Sequence, residues 1–116
     1  MKLLIFCILM FSGCLYNAEV VNRRVVIRND SGIDFDSAKI SVNNYSGTIE
    51  DIKRSSDSFL EFSRNAVSAN HDVLLHIELY RSDSIISKET IFLNDLGFIP
   101  ELTTVKVNNE LRMFRE

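Results

Sequence analysis

The feature that most restricts the fold of this chain is a short segment in which every second residue is hydrophobic. Apolar residues occupy alternate positions of residues 72–80: Val73, Leu75, Ile77 and Leu79. Side chains on a strand point alternately to the two faces of a sheet, so this spacing predicts a strand with one buried face. Leu74 and Tyr80 make the other face partly apolar, and we therefore predict a central strand that is covered on both faces.

Similar runs lie along the rest of the chain, separated by clusters of turn-forming residues. Val25 and Ile27 precede Asn-Asp-Ser-Gly at residues 29–32, and a second alternating run over residues 38–42 ends near Asn-Tyr-Ser-Gly. Asn, Asp and Ser bond the local backbone, and glycine takes positive φ at little cost, so such clusters favour turns. Each run therefore predicts a strand that ends in a turn.

The later runs continue this pattern. Residues 48–53 predict a short edge strand. Three apolar residues after it are expected to return to the core: Phe59, Leu60 and Phe62. Residues 85–93 predict a hairpin with the preceding strand, and three of them share one parity: Ile86, Thr90 and Phe92. Gly97 and the single proline place a loop at residues 94–100, and a last alternating run begins at Val105.

Seven to eight short strands in about 100 residues, with frequent turns, predict an all-β fold, an antiparallel β-sandwich of immunoglobulin-like architecture. A small β-barrel is the alternative. The sequence has no tryptophan and no cysteine after Cys14, so membership of the antibody superfamily is not implied. We assign the sandwich domain to residues 23–116.

The amino-terminal segment has a different character. Lys2 precedes an unbroken apolar run at residues 3–11, which ends at Ser-Gly-Cys. At ~1.5 Å per residue, a helix of this length reaches about 14 Å, roughly half of the ~30 Å hydrocarbon core of a bilayer. We therefore predict a cleavable secretory signal over residues 1–13, in which Cys7 is only a small hydrophobic residue.

Residues 11–14, Phe-Ser-Gly-Cys, resemble the bacterial lipobox, in which an apolar residue and two small residues precede an invariant cysteine. Phe11 stands where leucine is usual. The resemblance implies that Cys14 is the lipidation site, that the chain is cleaved just before it, and that fatty acids such as palmitate hold the protein on a membrane. One acyl chain anchors a protein only marginally, whereas two or three hold it stably. Residues 14–22 are then a lipid-attached tether.

The same resemblance carries an expectation about location in the bacterial cell envelope. Leu15, and not aspartate, follows the cysteine, which in the Gram-negative sorting rule implies transfer to the outer membrane. Glu19 is the only charged residue between Cys14 and Arg23, whereas surface display goes with charged residues just after the cysteine. We therefore expect a lipid-anchored domain on the outer membrane that faces the periplasm.

Residues 25–40, VVIRNDSGIDFDSAKI, also resemble a pattern in small uncharacterised lipoproteins of Bacteroidetes-type bacteria. In that pattern an alternating strand runs into N-x-S-G, then D-F-D, then a second alternating strand. Residues 46–49, Ser-Gly-Thr-Ile, and residues 55–59, Ser-Ser-Asp-Ser-Phe, loosely continue the likeness, which covers about a third of the chain. It implies a location in the cell envelope and a β fold, and it implies no particular activity.

Composition excludes several classes of function. The 13 basic and 16 acidic residues are mixed along the chain and form no basic stripe, so nucleic acid is not an expected partner. Gly-rich phosphate loops, G-x-S-x-G and H-E-x-x-H are missing from the sequence. We therefore predict that the protein is not an enzyme, with no catalytic residue and no cofactor.

Two groups of residues are candidate sites. Asp30, Asp34 and Asp36 surround a glycine turn and could offer oxygen ligands to Ca²⁺, but the EF-hand pattern is absent and turn chemistry alone accounts for them. His71 and His76 differ by five positions, which places them on opposite faces if both belong to one strand and disfavours a shared zinc ion. Glu78 or a cross-strand residue is the expected partner of the second histidine.

Two classes of function follow. We expect a non-enzymatic binding or structural module that meets another envelope protein through its loops or an exposed strand edge. The alternative is an envelope enzyme or Ca²⁺-dependent ligand binder that uses the loop with Asp30, Asp34 and Asp36.

Overall fold

The computed structural model describes residues 22–42, 45–62 and 72–116, which form two packed β-sheets. The eight strands are β1 (Arg23–Asn29), β2 (Phe35–Val42), β3 (Tyr45–Ile52), β4 (Ser56–Phe62), β5 (Val73–Arg81), β6 (Ser84–Asn94), β7 (Leu102–Val107) and β8 (Met113–Arg115). The sheets have the strand orders β4-β1-β7-β8 and β3-β2-β5-β6. Within the described ranges, no helix is long and apolar enough to cross a membrane.

The core lies between the two sheets and is made of the alternate side chains that face inward. It includes fully buried residues from both sheets: Val25, Ile27, Val105 and Val107 from one, and Ile40, Leu75, Ile77 and Leu79 from the other. The hydrogen bonds run within each four-stranded sheet and do not join them into one closed sheet. The predicted β-sandwich is confirmed, and the barrel alternative is not formed.

Strand β1 is central to its sheet. It pairs with β4 in the antiparallel direction and with β7 in the parallel direction, from Arg24 opposite Leu102 to Asn29 opposite Val107. The next strand along the chain, β2, lies in the other sheet. An immunoglobulin domain places its first two strands side by side, so the sandwich architecture is shared while the strand order differs.

Some residues expected in the core face solvent instead. Strand β5 is central, as predicted, with Leu75 and Ile77 fully buried, but His76 between them is exposed, so only one face of this strand is covered. In β6 the inward positions are those of Ile91 and Leu93, and Phe92 points outward. Phe59 is also exposed. Where a strand carries apolar residues on both faces, as β4 and β6 do, the sequence does not show which face points into the core.

The register defines two ends of the sandwich. At the amino-terminal end, the chain enters β1 at Arg23, and the loop at residues 95–101 joins the end of β6 to the start of β7. The backbone N–H of Arg24 donates to the carbonyl of Glu101 over 2.9 Å, which ties the loop to the first strand. Turns of the described chain gather at the opposite end, the turn end: residues 30–34, 53–55, 82–83 and 108–112.

Candidate functional site

The outer surface of the β4-β1-β7-β8 sheet, called here the mixed face, combines aromatic, aliphatic and charged side chains. Because Val25 and Ile27 are buried in the core, their neighbours along β1 face outward. The outward side chains form three rows across the strands: Glu61, Arg24 and Leu102; Phe59, Val26 and Thr104; and Asp57, Arg28, Lys106 and Phe114. The strand ladders hold these rows in place.

Three large apolar side chains of the mixed face are open to solvent. Phe59 is 53% exposed, Leu102 58% and Phe114 43%, and Val26 lies half-buried in the middle row. The guanidinium carbon of Arg24 lies 4.4 Å from the ring centroid of Phe59, which is a cation–π contact. The ring and the guanidinium therefore support each other at the surface.

Each cation of the mixed face has a carboxylate partner. Arg24 bonds Glu61 over 2.8 Å, and Arg28 bonds both Asp57 over 3.2 Å and Glu116 over 2.8 Å. The hydrogen bond to Asp57 and the negative charge of Glu116 raise the pKa of Arg28 above its ordinary value. Exposed ion pairs add little to stability, so their main effect is to orient the side chains.

Lys106 completes this pattern at the turn end. Its Nζ lies 3.5 Å from Oδ2 of Asp30. Charges of both signs are thus interspersed with the exposed apolar side chains across the four strands of this sheet. Enrichment in aromatic residues and arginine distinguishes the centres of protein interfaces from ordinary protein surface. The mixed face is therefore the candidate site for binding another protein.

The outer surface of the other sheet has a shallow groove of about 500 Å³ around His76. Nδ1 of His76 lies 2.8 Å from Oγ1 of Thr90, the residue directly opposite on β6. The expected cross-strand partner is therefore this threonine. Glu78 accepts a hydrogen bond from the Tyr80 hydroxyl over 3.3 Å. Desolvation, and then the charge of Glu78, raise the pKa of Tyr80. The groove is lined mainly by polar side chains.

The three aspartates of the calcium alternative bind three different partners. Asp30 pairs with Lys106, and Asp36 accepts the backbone N–H of Ser82 over 2.6 Å. Asp34 accepts the backbone N–H of Arg54 over 2.8 Å and its side-chain Nε over 3.2 Å. The backbone bond and then the side-chain bond lower the pKa of Asp34. Among the described residues, no three potential metal ligands come together.

The remaining predicted residues, Cys14, Cys7 and His71, lie outside the described residues. The structure therefore does not test the lipidation site. The sequence does not predict the mixed face: Phe59 was expected in the core but is exposed. The mixed face forms because β1, which carries Arg24 and Arg28, pairs with β4, which carries Phe59. Knowledge of this strand pairing would have been needed to predict it.

No protein-family model matches the chain, and no curated protein matches it. Among solved structures, the chain is similar to a protein from Eubacterium rectale determined by NMR, with 15% sequence identity and a TM-score of 0.43. The similarity covers 84% of this chain and 87% of that chain.

Proposed function

We propose that this protein is a lipid-anchored binding module of the bacterial envelope, which holds another envelope protein against its mixed face. The observation that carries the proposal is the exposure of Phe59, Leu102 and Phe114 on one regular sheet, among arginines already oriented by ion pairs. The module acts by binding and not by catalysis. Its partner is a protein surface that offers both apolar side chains and charged groups.

Physical reasons support the use of this face. Apolar side chains that are spread over one solvent-facing sheet lose unfavourable contact with water when a partner covers them. The strands fix their positions, so little conformational entropy is lost on binding. The arginines can exchange their present carboxylates for those of a partner, which favours a partner with both acidic and apolar residues.

Attachment to a membrane is the second part of the proposal and rests on the lipobox resemblance. Acylation of Cys14 would fix the domain to a membrane and so confine its search for a partner to the same surface. Replacing Cys14 with serine should abolish incorporation of a labelled fatty acid and leave the signal uncleaved. Incorporation that persists in the Cys14→Ser protein would show that the lipobox interpretation is wrong.

The mixed face is tested by photo-crosslinking in living cells. A photoreactive amino acid replaces Thr104, in the middle row of the mixed face, and in a matched chain replaces Lys39 on the outer face of the other sheet. We expect a discrete crosslinked product from position 104 and none from position 39. Mass spectrometry of the product then identifies the partner.

Variants distinguish the mixed face from any apolar surface. Phe59→Ser combined with Phe114→Ser should remove the crosslink from position 104. Phe92→Ser is the matched control, because Phe92 is 56% exposed but lies on the other sheet. Equal crosslinking from the two reporter positions, or an equal loss in Phe92→Ser, would contradict the proposed site.

A further inference from the structure

The loop at residues 95–101, at the amino-terminal end, presents two large apolar side chains to solvent. Leu96 is 66% exposed and Phe98 is 48% exposed. The next residue, Ile99, is 3% exposed and belongs to the core. The loop is thus fastened to the sandwich by Ile99 while its preceding apolar residues project away from it.

Asn94 holds this loop in a defined turn. Its Oδ1 accepts the backbone N–H of Leu96 over 3.0 Å, and its Nδ2 donates to the carbonyl of Phe98 over 3.0 Å. Gly97 between them has a φ of 82°, which favours glycine. The outward direction of Leu96 and Phe98 therefore belongs to a braced turn.

The turn end contains the same turn with different side chains. Asn29 accepts the backbone N–H of Ser31 over 3.1 Å and donates to the carbonyl of Ile33 over 2.8 Å, and Gly32 has a φ of 87°. In this copy the third residue is a buried serine, and Ile33 packs against the core. The turn itself therefore does not require exposed apolar side chains, and those of the loop at residues 95–101 need another explanation.

The position of the loop relative to the tether supplies that explanation. Arg23 lies nine residues after Cys14, and the chain between them spans at most about 32 Å when fully extended. If Cys14 carries lipid, the amino-terminal end of the sandwich stays within that distance of the bilayer. The loop at residues 95–101 is bonded to Arg24 at this same end, while the turn with Asn29 lies at the far end of β1.

We propose that Leu96 and Phe98 insert into the phospholipid surface to which the chain is anchored, so that the domain stands end-on upon the membrane. This inference rests on the lipid anchor of the proposed function. Asp95 and Glu101 flank the two apolar residues and are exposed, so the loop favours a zwitterionic lipid surface over a strongly anionic one. End-on docking leaves the mixed face directed sideways and open to a partner.

Depth-dependent fluorescence quenching tests the insertion. The full-length chain is produced in bacteria, and the acylated protein is purified from membranes into phosphatidylethanolamine-rich vesicles that contain nitroxide-labelled lipid. An environment-sensitive dye is attached through Asp95→Cys or, as the matched control, through Asp30→Cys, since the two aspartates occupy the same place in the two turns. Metabolic labelling of the same preparations shows whether fatty acid is present.

We expect strong quenching at position 95, little at position 30, and loss of the difference when Leu96→Ser and Phe98→Ser are added. Increasing the fraction of phosphatidylglycerol should weaken the quenching at position 95. Equal quenching at both positions in an acylated protein, or quenching that persists in the double serine variant, overturns the insertion and leaves the anchor intact. A blue shift without quenching would mean that the loop contacts protein, and it overturns the lipid assignment. Absence of fatty acid overturns both the anchor and the insertion.

Discussion

Asn29 shows how one polar side chain determines a turn. It is fully buried at the end of β1, and its amide both accepts from Ser31 and donates to the carbonyl of Ile33. The sequence predicted a turn here because Asn, Asp, Ser and Gly follow one another. It did not predict the burial, because the similar cluster Asn-Asp-Leu-Gly at residues 94–97 makes a turn on the surface.

The two turns give a prediction with a built-in comparison. Replacing Asn29 with alanine leaves buried polar groups without their partner, so we expect a loss of about 2 to 3 kcal/mol in the free energy of unfolding. Asn94→Ala removes equivalent bonds that are exposed to water, and we expect a loss below about 1 kcal/mol. Urea denaturation of both variants measures the difference, and equal losses would contradict this account of burial.

Asp34 provides a prediction about pH at the same scale. Its pKa is lowered in the folded state, chiefly by the backbone N–H of Arg54, so its contribution to stability is present above the unfolded pKa of about 3.9 and is lost as pH falls through the folded pKa. Wild type should therefore be more stable than Asp34→Asn at pH 6, and the difference should decline in acid.

The variant Arg54→Ala separates the two hydrogen bonds that lower the pKa of Asp34, one from the backbone and one from the side chain of Arg54. It removes the side-chain bond and keeps the backbone donor, so NMR titration should find the pKa of Asp34 still below its ordinary value. Urea midpoints at several pH values test the stability difference with Asp34→Asn. A pKa that returns to its ordinary value in Arg54→Ala would show that the guanidinium, and not the backbone, is responsible.

At the scale of elements, the alternation of apolar and polar residues predicted where the strands are, but it did not predict which strands pair with each other. The buried positions of β1, β5 and residues 38–42 of β2 follow directly from their period of two, because one side of each strand faces the core. Alternation does not say which strand lies beside which. The parallel pair of β1 and β7, and hence the meeting of Arg24 with Leu102, joins distant parts of the chain.

The same reasoning explains why the mixed face escaped prediction. Phe59, Leu60 and Phe62 all follow one polar loop, and their spacing does not show which ones point inward. Phe62 is buried and Phe59 is exposed, a result fixed by the pairing of Val26 with Phe59 across β1 and β4. Sites on a sheet surface combine residues from different strands, so they depend on information that a local pattern lacks.

Strand β5 gives a direct test of the core. Leu75 and Ile77 are fully buried, and truncating either to alanine should reduce the free energy of unfolding by about 2 to 5 kcal/mol. His76→Ala is the matched control, because this residue lies between them and faces solvent, so its change should stay within about 0.5 kcal/mol. Chemical denaturation decides the matter. Losses as small as that of the control would mean that this strand is misplaced.

At the scale of the whole molecule, the amino-terminal end and the mixed face have complementary proposed roles. The tether and the apolar loop lie at one end of the sandwich, and the exposed aromatic residues lie on the side of one sheet. Docking through the end thus does not compete with binding through the side. A domain held in this way presents one sheet to neighbours in the plane of the membrane, which reduces the orientations that a partner must search.

The remaining prediction concerns which compartment this arrangement faces. Leu15 after the cysteine and the scarcity of charge before Arg23 lead us to expect an outer-membrane lipoprotein on the periplasmic side. Protease added to intact cells should then spare the domain, and permeabilising the outer membrane should expose it to digestion. A known periplasmic protein and a known surface protein serve as controls. Digestion in intact cells would contradict the periplasmic assignment, whereas the lipid anchor, the inserted loop and the mixed face would keep the same geometry on the opposite leaflet.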